Sequence, residues 1–413
     1  MSLPPSQQPL LVTQVPGPRS RGLAQRLAQV ESRNVTAAGA LFWERALGCN
    51  VWDVDGNRFV DLSAGFGVAN VGHGHPRVVG AVADQAERLL HAMGDVHPGE
   101  VKVALLEALA RRFPGGGPAR AVLGSSGSDA VEVALKTAAL ATGRPGLVAF
   151  EGAYHGVSLG ALDASWRPLF RERFEARLPG ATAFARWGDA EDVGRAANAC
   201  AAQVGAVIVE PVQGRGGDRL APDGFLAALR ERCDREGWLL VVDEVFTGFG
   251  RTGRWFACEH AGVVPDLLCI AKGLASGMPI SACIGRADVM DAWPVSEGEA
   301  IHTQTFLGHP PGCAAALASL AVLEEEKLVE RAAETGARAL KQLRGRGLEA
   351  RGLGLLLAIE CDAAAAACTR ALERGLIALP SGDAGQVVSI SPPLCIEPEL
   401  LEASLDLLVE CLA

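Results

Sequence analysis

Four short apolar runs, separated by helix-like stretches, constrain the fold of this chain most strongly. They cover residues 146–150, 206–210, 238–243 and 266–270. Each is about four to six residues long and lacks polar alternation, as in strands buried on both faces of a parallel sheet. The stretches between them, such as 129–142 and 223–236, have the pattern of crossover helices. We therefore predict an α/β fold with a large, mainly parallel sheet.

Each predicted strand ends in or near a polar or charged residue, namely Glu151, Glu210, Asp243 and Lys272. Open α/β sheets bind ligands in a crevice at the carboxyl ends of their strands. We therefore expect these side chains to converge on one crevice.

The pattern changes after His309, where a long alanine- and leucine-rich helical stretch runs through Arg344. Two strand-like runs follow, at 354–360 and 387–391. A chain of 413 residues suggests two or three domains at roughly 150 residues each. We predict a large domain over residues 61–309 and a small α+β domain built from residues 1–60 and 310–413.

Composition restricts the classes of function. A net charge of −10 offers no basic stripe for nucleic acid, and no run of about eighteen apolar residues could span a membrane. The eleven cysteines are odd in number and never spaced as Cys-x-x-Cys, which argues against a disulfide framework and a zinc site. We expect a cytoplasmic protein that acts on small molecules without a metal.

Two charged residues in apolar surroundings indicate chemistry. Lys272 ends an apolar run, where an ammonium would be costly to bury unless it is neutral, covalently engaged or paired, so it is a Schiff-base candidate. The alternative is a lysine that extends from a strand end to solvent. Asp243 closes five apolar residues and needs a cationic partner, a role that a protonated pyridinium nitrogen would fill.

Two further segments fit a phosphorylated, flat cofactor. Gly127 and Ser128 open a helix after an apolar run, and helix N-termini bind phosphate; the alternative is an ordinary helix cap. This is not the loop of nucleotide hydrolases, because Lys136 lies well inside the helix. The single tyrosine, Tyr154, follows a strand and would either stack on a ring or pack in the core.

From about residue 45 onward, the chain resembles the class III pyridoxal-phosphate aminotransferases, such as the 4-aminobutyrate, ornithine and acetylornithine enzymes. The resemblance rests on ordered motifs: Asp55-Gly-Asn-Arg-Phe-Val-Asp, Gly72-His-Gly-His-Pro, Ser126-Gly-Ser-Asp-Ala, Tyr154-His-Gly, Glu210-Pro-Val-Gln-Gly, Asp243-Glu-Val-Phe-Thr-Gly-Phe-Gly-Arg-Thr-Gly, Ala271-Lys-Gly and Thr305-Phe-Leu-Gly-His-Pro. It implies fold type I of the pyridoxal-phosphate enzymes and a homodimer with active sites at the subunit interface.

The resemblance also implies roles for individual residues. Lys272 would carry pyridoxal 5'-phosphate as a Schiff base and move the proton, while Asp243 would keep the pyridine nitrogen protonated. The remaining implied cofactor residues are Gly127 and Ser128 at the phosphate, Thr305 reaching it from the neighbouring subunit, Tyr154 and Val245 on the two ring faces, and His155 and Glu210 bracing the site. The predicted substrate residues are Phe66 and Arg215, the latter at a position that departs from the family pattern.

Four positions depart from the family pattern. Ser389 stands where many members have an arginine that binds a substrate carboxylate, and Arg215 stands where they have a glutamate; Arg215 is therefore a candidate anion site or a surface arginine. Val157 replaces the arginine of acetylornithine enzymes, which disfavours that substrate. Phe246 replaces a glutamine that contacts the cofactor's phenolic oxygen, and Gln213 is the nearest residue to compensate.

The leading hypothesis is an aminotransferase that takes an amino group from an amino acid, preferably an ω-amino acid, or from an amine, and gives it to a 2-oxo acid by a ping-pong mechanism. An amino-acid or lactam racemase on the same fold is the alternative; such racemases need no oxo acid, and those related to this family have an acid at the position of Arg215. A third hypothesis is a catalytically silent, cofactor-binding regulator, which the presence of both Lys272 and Asp243 disfavours.

Overall fold

The computed structural model describes residues 2–35 and 41–412 and is built around a seven-stranded sheet. Six strands are parallel, and only Ser281–Arg286 runs antiparallel to both of its neighbours. This confirms the predicted α/β class and the mainly parallel sheet. In spatial order, the strands are Ala119–Gly124, Ser281–Arg286, Leu267–Ile270, Leu239–Asp243, Val204–Val209, Gly146–Phe150 and Thr182–Ala185.

The central strands form because their apolar runs can be covered on both faces. Every residue of Gly146–Phe150, Val204–Val209 and Leu267–Ile270 is buried. Successive side chains point to opposite faces, so that Val207 and Ile208 belong to two different core clusters. The sheet therefore separates two apolar layers and presents its strand ends as a rigid edge.

Helices cover both faces of this sheet. The helix Gly127–Thr142 begins with a capping box in which Ser126 and Asp129 bond each other's backbone amides, and it ends at Gly143 in the left-handed conformation. In the part of the chain that the structure describes, no helix is both long and apolar enough to cross a lipid bilayer. The principal helices are Pro18–Val30, Pro76–Arg88, Glu100–Arg111, Gly127–Thr142, Leu159–Asp163, Pro168–Arg171, Asp192–Ala199, Phe225–Glu236, Ala287–Met290, Pro310–Glu325, Leu328–Gly345, Ala364–Leu372 and Pro398–Glu410.

Two smaller sheets join the two ends of the chain. In the first, Trp43–Leu47, Asn50–Asp53 and Arg58–Asp61 are antiparallel, and Leu376–Ile377 pairs in parallel with Arg58–Asp61. The second sheet is antiparallel, in the order Ala350–Leu353, Leu356–Glu360, Val387–Ile390 and Leu379–Ser381. Strand pairing between the termini agrees with a small domain built from both, but its division at residues 60 and 310 stays a prediction, since Arg58–Asp61 crosses the first boundary.

The long helical stretch predicted after His309 is divided in the structure. It forms two helices, Pro310–Glu325 and Leu328–Gly345. Between them Lys327 has a φ of 51°, a left-handed conformation that interrupts the hydrogen-bond ladder. The alanine- and leucine-rich pattern runs through this break, so composition alone gave no sign of it.

Candidate active site

A cavity of about 630 Å³ lies at the carboxyl ends of the central strands. Its walls include the start of the helix Gly127–Thr142 and the strands Leu379–Ser381 and Val387–Ile390. Of the four polar strand ends expected to converge, all except Glu151 line it. Most residues predicted for the site meet here, namely Lys272, Asp243, Gly127, Ser128, Tyr154, His155, Glu210, Val245, Arg215 and Phe66.

A buried ion pair forms the floor of the cavity. The carboxylate of Asp243, at the end of the strand Leu239–Asp243, lies 2.7 Å from Nδ1 of His155 and accepts a hydrogen bond of 3.0 Å from the amide of Val245. Burial alone would lower the pKa of His155, but the hydrogen bond and charge of Asp243 raise it above its usual value. The pair therefore holds the Asp243 carboxylate in a fixed orientation in the interior of the protein.

Lys272 and Glu210 face the same floor. Burial lowers the pKa of Lys272, opposed by the charges of Asp243 and Glu210, and its Nζ lies 4.7 Å from the centroid of the Phe246 ring. Burial also raises the pKa of Glu210 to about 7, and this carboxylate accepts a 3.1 Å hydrogen bond from the amide of Tyr154. A lysine with a lowered pKa is more readily neutral, which nucleophilic amine chemistry requires.

The start of the helix Gly127–Thr142 lies on the cavity wall, where it could bind an anion. The first amides of a helix have no partner within it, and the helix dipole favours negative charge there. A Cβ at Gly127 would lie 2.9 Å from Cγ1 of Val245, so only glycine fits without a shift. The hydroxyl of Ser128 accepts a 3.3 Å bond from the amide of Val157, which fixes this loop against the helix.

These features fit pyridoxal 5'-phosphate. A buried carboxylate suits a protonated ring nitrogen, a lysine with lowered pKa suits an aldehyde, and the helix start suits a phosphate. In addition, Nε2 of His155 is buried and has no hydrogen-bond partner among residues 2–35 and 41–412. The floor and the wall of the cavity together thus offer groups suited to the ring nitrogen, the aldehyde and the phosphate of the cofactor.

The structure places two predicted cofactor residues elsewhere. Gln213 is fully buried, and its amide donates to the carbonyl of Glu151 at 3.0 Å, away from the cavity. In the strand Val212–Gln213, Val212 lines the cavity and Gln213 points to the other side of the strand, so the expected compensation for Phe246 is not supported. Thr305 is exposed and outside the cavity of its own chain; its contact with a second subunit stays a prediction.

The opposite wall contains residues that the sequence did not single out. Arg167 lines the cavity, where it bonds Asp383 at 2.6 Å and donates to the carbonyl of Arg215. The guanidinium of Arg215 lies 4.7 Å from the Tyr154 ring centroid. Asp218, which was also missed, is a buried acid on the same wall. These residues come from distant segments, and no local pattern marks them.

Comparison with known proteins agrees with this geometry. The family model described as Aminotransferase class-III matches residues 30–412. The chain belongs to the class-III aminotransferases. It is therefore an enzyme that transfers amino groups with pyridoxal 5'-phosphate, as its sequence predicted.

Curated members of the class-III family resemble the chain over nearly its whole length. A 4-aminobutyrate aminotransferase of Mycobacterium leprae is 39% identical over 96% of each chain. An acetylornithine aminotransferase of Methanopyrus kandleri is 41% identical over 88% of this chain and 92% of its own. A 5-aminovalerate aminotransferase of Pseudomonas aeruginosa is 37% identical over 95% of this chain and 98% of its own.

Solved structures show the same fold. An ornithine aminotransferase of Toxoplasma gondii, described with partial occupancy of pyridoxal phosphate at its active site, is 30% identical with a TM-score of 0.86, covering 95% of this chain and 94% of that one. An aminotransferase of Bacillus anthracis is 26% identical with a TM-score of 0.89, covering 95% and 98%. The class-III fold is thus shared along almost the full chain.

Proposed function

We propose that the enzyme takes an amino group from an ω-amino acid or an amine and passes it to a 2-oxo acid, with both half-reactions in the one cavity. The observation that carries this proposal is that Lys272, with its lowered pKa, faces the same cavity as the Asp243–His155 pair and the anion-binding start of the helix Gly127–Thr142.

When bound, pyridoxal 5'-phosphate supplies an aldehyde that condenses with amines and a ring that withdraws electrons from the bond that breaks. Lys272 would hold the cofactor and, as a neutral amine, take up and return a proton at the substrate's Cα. Asp243 would balance a positive charge on the ring nitrogen, and its bond to His155 keeps the carboxylate oriented. Gly127 and Ser128 would bind the phosphate.

Arg215 is the proposed site for the carboxylate of the amino acid or oxo acid. Ser389, which lines the cavity, cannot supply the charge of the arginine that many class-III enzymes have there. Arg215 and Arg167 bring two guanidinium groups to the wall, and Arg167 is paired with Asp383 whereas Arg215 packs against aromatic rings. Phe66, which is 64% exposed in one chain, would contact the apolar part of the substrate.

Sequence similarity to an acetylornithine enzyme does not select that substrate. Val157 is exposed and follows Gly156, which lines the cavity. By family resemblance, acetylornithine enzymes carry an arginine at this position. An apolar side chain there cannot pair with a carboxylate, so we propose ω-amino acids or amines as better donors than acetylornithine.

We further propose a homodimer that completes each site. Segments 89–96 and 301–306 contact each other, with a 2.7 Å bond between Thr303 and Asp95. Large apolar side chains are exposed on them, a pattern typical of a protein interface; these are Leu89, Leu90, Met93, Val96, Ile301 and Phe306. Thr305 lies on this surface, from which it would reach the phosphate of the neighbouring subunit. We expect light scattering to give a dimer mass, and Thr305→Ala to weaken cofactor retention without loss of the dimer.

A donor panel tests the proposed function directly. The cofactor-loaded enzyme is mixed with single donors in the absence of an oxo acid, and conversion from the aldehyde to the amine form of the cofactor is followed by absorbance. We expect conversion with ω-amino acids or amines and reversal by pyruvate or 2-oxoglutarate. A racemase would instead return the amine with inverted configuration and need no oxo acid. If none of the donors converts the cofactor to its amine form, the protein has no such catalytic role.

A further inference from the structure

Asp218 is a buried acid that forms no ion pair within residues 2–35 and 41–412. It lines the cavity at the end of the turn between the strands Val212–Gln213 and Arg219–Leu220, and it is only 2% exposed. Neither of its carboxylate oxygens has a hydrogen-bond partner within the described ranges 2–35 and 41–412. Buried carboxylates are normally paired or hydrogen-bonded, since an isolated one costs several kcal/mol or changes its protonation.

Nearby positive groups are engaged with other partners. The guanidinium of Arg351 donates to the backbone carbonyls of Gly217 and Asp218 and to the carboxylate of Glu360. Arg167 bonds Asp383. These arginines hold the loop in place, but neither of them hydrogen-bonds the Asp218 carboxylate in the part of the chain that the structure describes.

The backbone holds Asp218 firmly in this position. Its φ is 48°, and its amide bonds the carbonyl of Gly214 at 3.1 Å. That carbonyl also accepts a 2.8 Å bond from the hydroxyl of Ser381, which docks the turn against the strand Leu379–Ser381. A Cβ at Gly217 would lie 3.3 Å from Val387, so the turn sits close against the neighbouring strand as well.

The electrostatics favour binding of a cation beside Asp218. Burial raises the pKa of Asp218 to about 7, and the Ser389 hydroxyl and the charge of Arg351 only partly oppose this rise. At neutral pH the carboxyl is therefore divided between its charged and neutral forms. A cation bound beside it would stabilise the charged form and expel the proton.

We propose that Asp218, together with the hydroxyl of Ser389, binds a second ammonium group of the amino donor, so that the enzyme prefers diamines or diamino acids. The inference rests on the proposed function, because Lys272 must act on the donor's other amine. Ser389 adds a neutral acceptor for the ammonium, where an arginine would repel it. Arg215 would favour diamino acids over diamines, because only a diamino acid has a carboxylate that can pair with its guanidinium.

Matched donors that differ only at the far end test the subsite. The panel is 1,5-diaminopentane, pentylamine and 5-aminovalerate, which end in an ammonium, a methyl and a carboxylate, with 2,5-diaminopentanoate as the diamino acid. The parent enzyme should convert the diamine with a kcat/KM roughly 10- to 100-fold above that of pentylamine, as for loss of a charged hydrogen bond. Equal rates for the diamine and pentylamine would overturn the proposal.

The variant Asp218→Asn keeps the size of the side chain and suits its positive φ, since asparagine tolerates that conformation. It should bring the diamine down to the level of pentylamine and leave pentylamine unchanged. Asp288→Asn, which changes an exposed acid far from the cavity, is the control and should alter neither donor. An equal loss for both donors in Asp218→Asn would show a structural role instead and overturn the subsite.

A second variant and a binding measurement keep the test independent of that substitution. Ser389→Arg should reverse the preference: kcat/KM should fall for the diamine and rise for 5-aminovalerate. Calorimetry with the Lys272→Ala protein should show that 1,5-diaminopentane binds with release of a proton below about pH 7. The double variant Lys272→Ala/Asp218→Asn should show no such proton release. Binding without proton release in both proteins would contradict the subsite. If no donor of any kind converts the cofactor, the proposed function fails rather than the subsite, because the calorimetric result does not depend on turnover.

Discussion

The floor and the far wall of the cavity differ in how their charges are balanced. On the floor, Asp243 is paired with His155 at 2.7 Å and sits at the end of a fully formed central strand. On the far wall, Asp218 is unpaired in the described chain and lies on a tight turn, while Arg215 stacks on an aromatic ring. We therefore expect the rigid sheet edge to set the chemistry, and the loops and terminal sheets to determine which substrate binds.

The largest effect is expected at Lys272, on the floor. Lys272→Ala removes the amine that we propose to hold the cofactor and to move the proton, so kcat should fall by at least about 10³-fold while the fold is retained. Circular dichroism checks the fold and single-turnover absorbance checks the chemistry. Lys341→Ala, at an exposed site on the helix Leu328–Gly345, is the matched control and should keep parental activity. Parental turnover in Lys272→Ala would refute the assigned role.

Asp243→Asn breaks the pair on the floor. We expect kcat to fall by about 10²- to 10³-fold, because the positive charge that the carboxylate balances would no longer be stabilised. The hydrogen bond and charge of Asp243 raise the pKa of His155 against the effect of burial, so that pKa should fall in the variant. Imidazole titration followed by NMR measures it; an unchanged pKa would show that the pair is not electrostatically coupled.

Arg215→Ala addresses the far wall. KM for donors or acceptors that carry a carboxylate should rise by about tenfold, with little change in kcat for an uncharged amine such as pentylamine. The uncharged amine is the internal control. If both kinds of donor are affected equally, Arg215 supports the wall through its contact with Tyr154 and does not bind the anion.

The smallest effect is on the free energy of unfolding. Its sign should differ between Asp218→Asn on the far wall and Asp243→Asn on the floor. Because burial raises the pKa of Asp218 to about 7, this carboxyl favours the folded state fully only below its unfolded pKa, and that contribution is lost as the pH rises through about 7. Asp218→Asn should therefore raise the free energy of unfolding at pH 8 by about 1–3 kcal/mol and change it little at pH 4.

Urea unfolding at the two pH values measures this difference. Asp243→Asn is the comparison from the floor and should destabilise the protein at pH 8, because it leaves buried His155 without its partner. A destabilised Asp218→Asn at pH 8 would mean that the carboxylate has a favourable partner in the native fold.

The sequence predicted the floor of the cavity better than the far wall. The central strands and the floor residues stand in local patterns, where an apolar run ends in a polar residue or a glycine opens a helix, so they were predicted correctly in position. Gln213 was predicted at the cofactor from its position in the sequence, but the direction of its side chain depends on the alternation of the short strand Val212–Gln213. Arg167 and Asp218 were missed because their meeting depends on the packing of segments far apart in the chain.

The break at Lys327 shows a similar limit. A single residue with positive φ divides two helices that composition joins, and lysine gives no local signal for that conformation. Ser389, in contrast, was recognised as a departure from the family pattern, but its proximity to Asp218 required the structure.

Reduction of the cofactor-loaded enzyme with borohydride, followed by peptide mass spectrometry, shows whether Lys272 forms the Schiff base with the cofactor. We expect a phosphopyridoxyl label on Lys272 alone, in a peptide that begins after Arg254, and no label in Lys272→Ala. A label on any other lysine, or none on the parent enzyme, would contradict it.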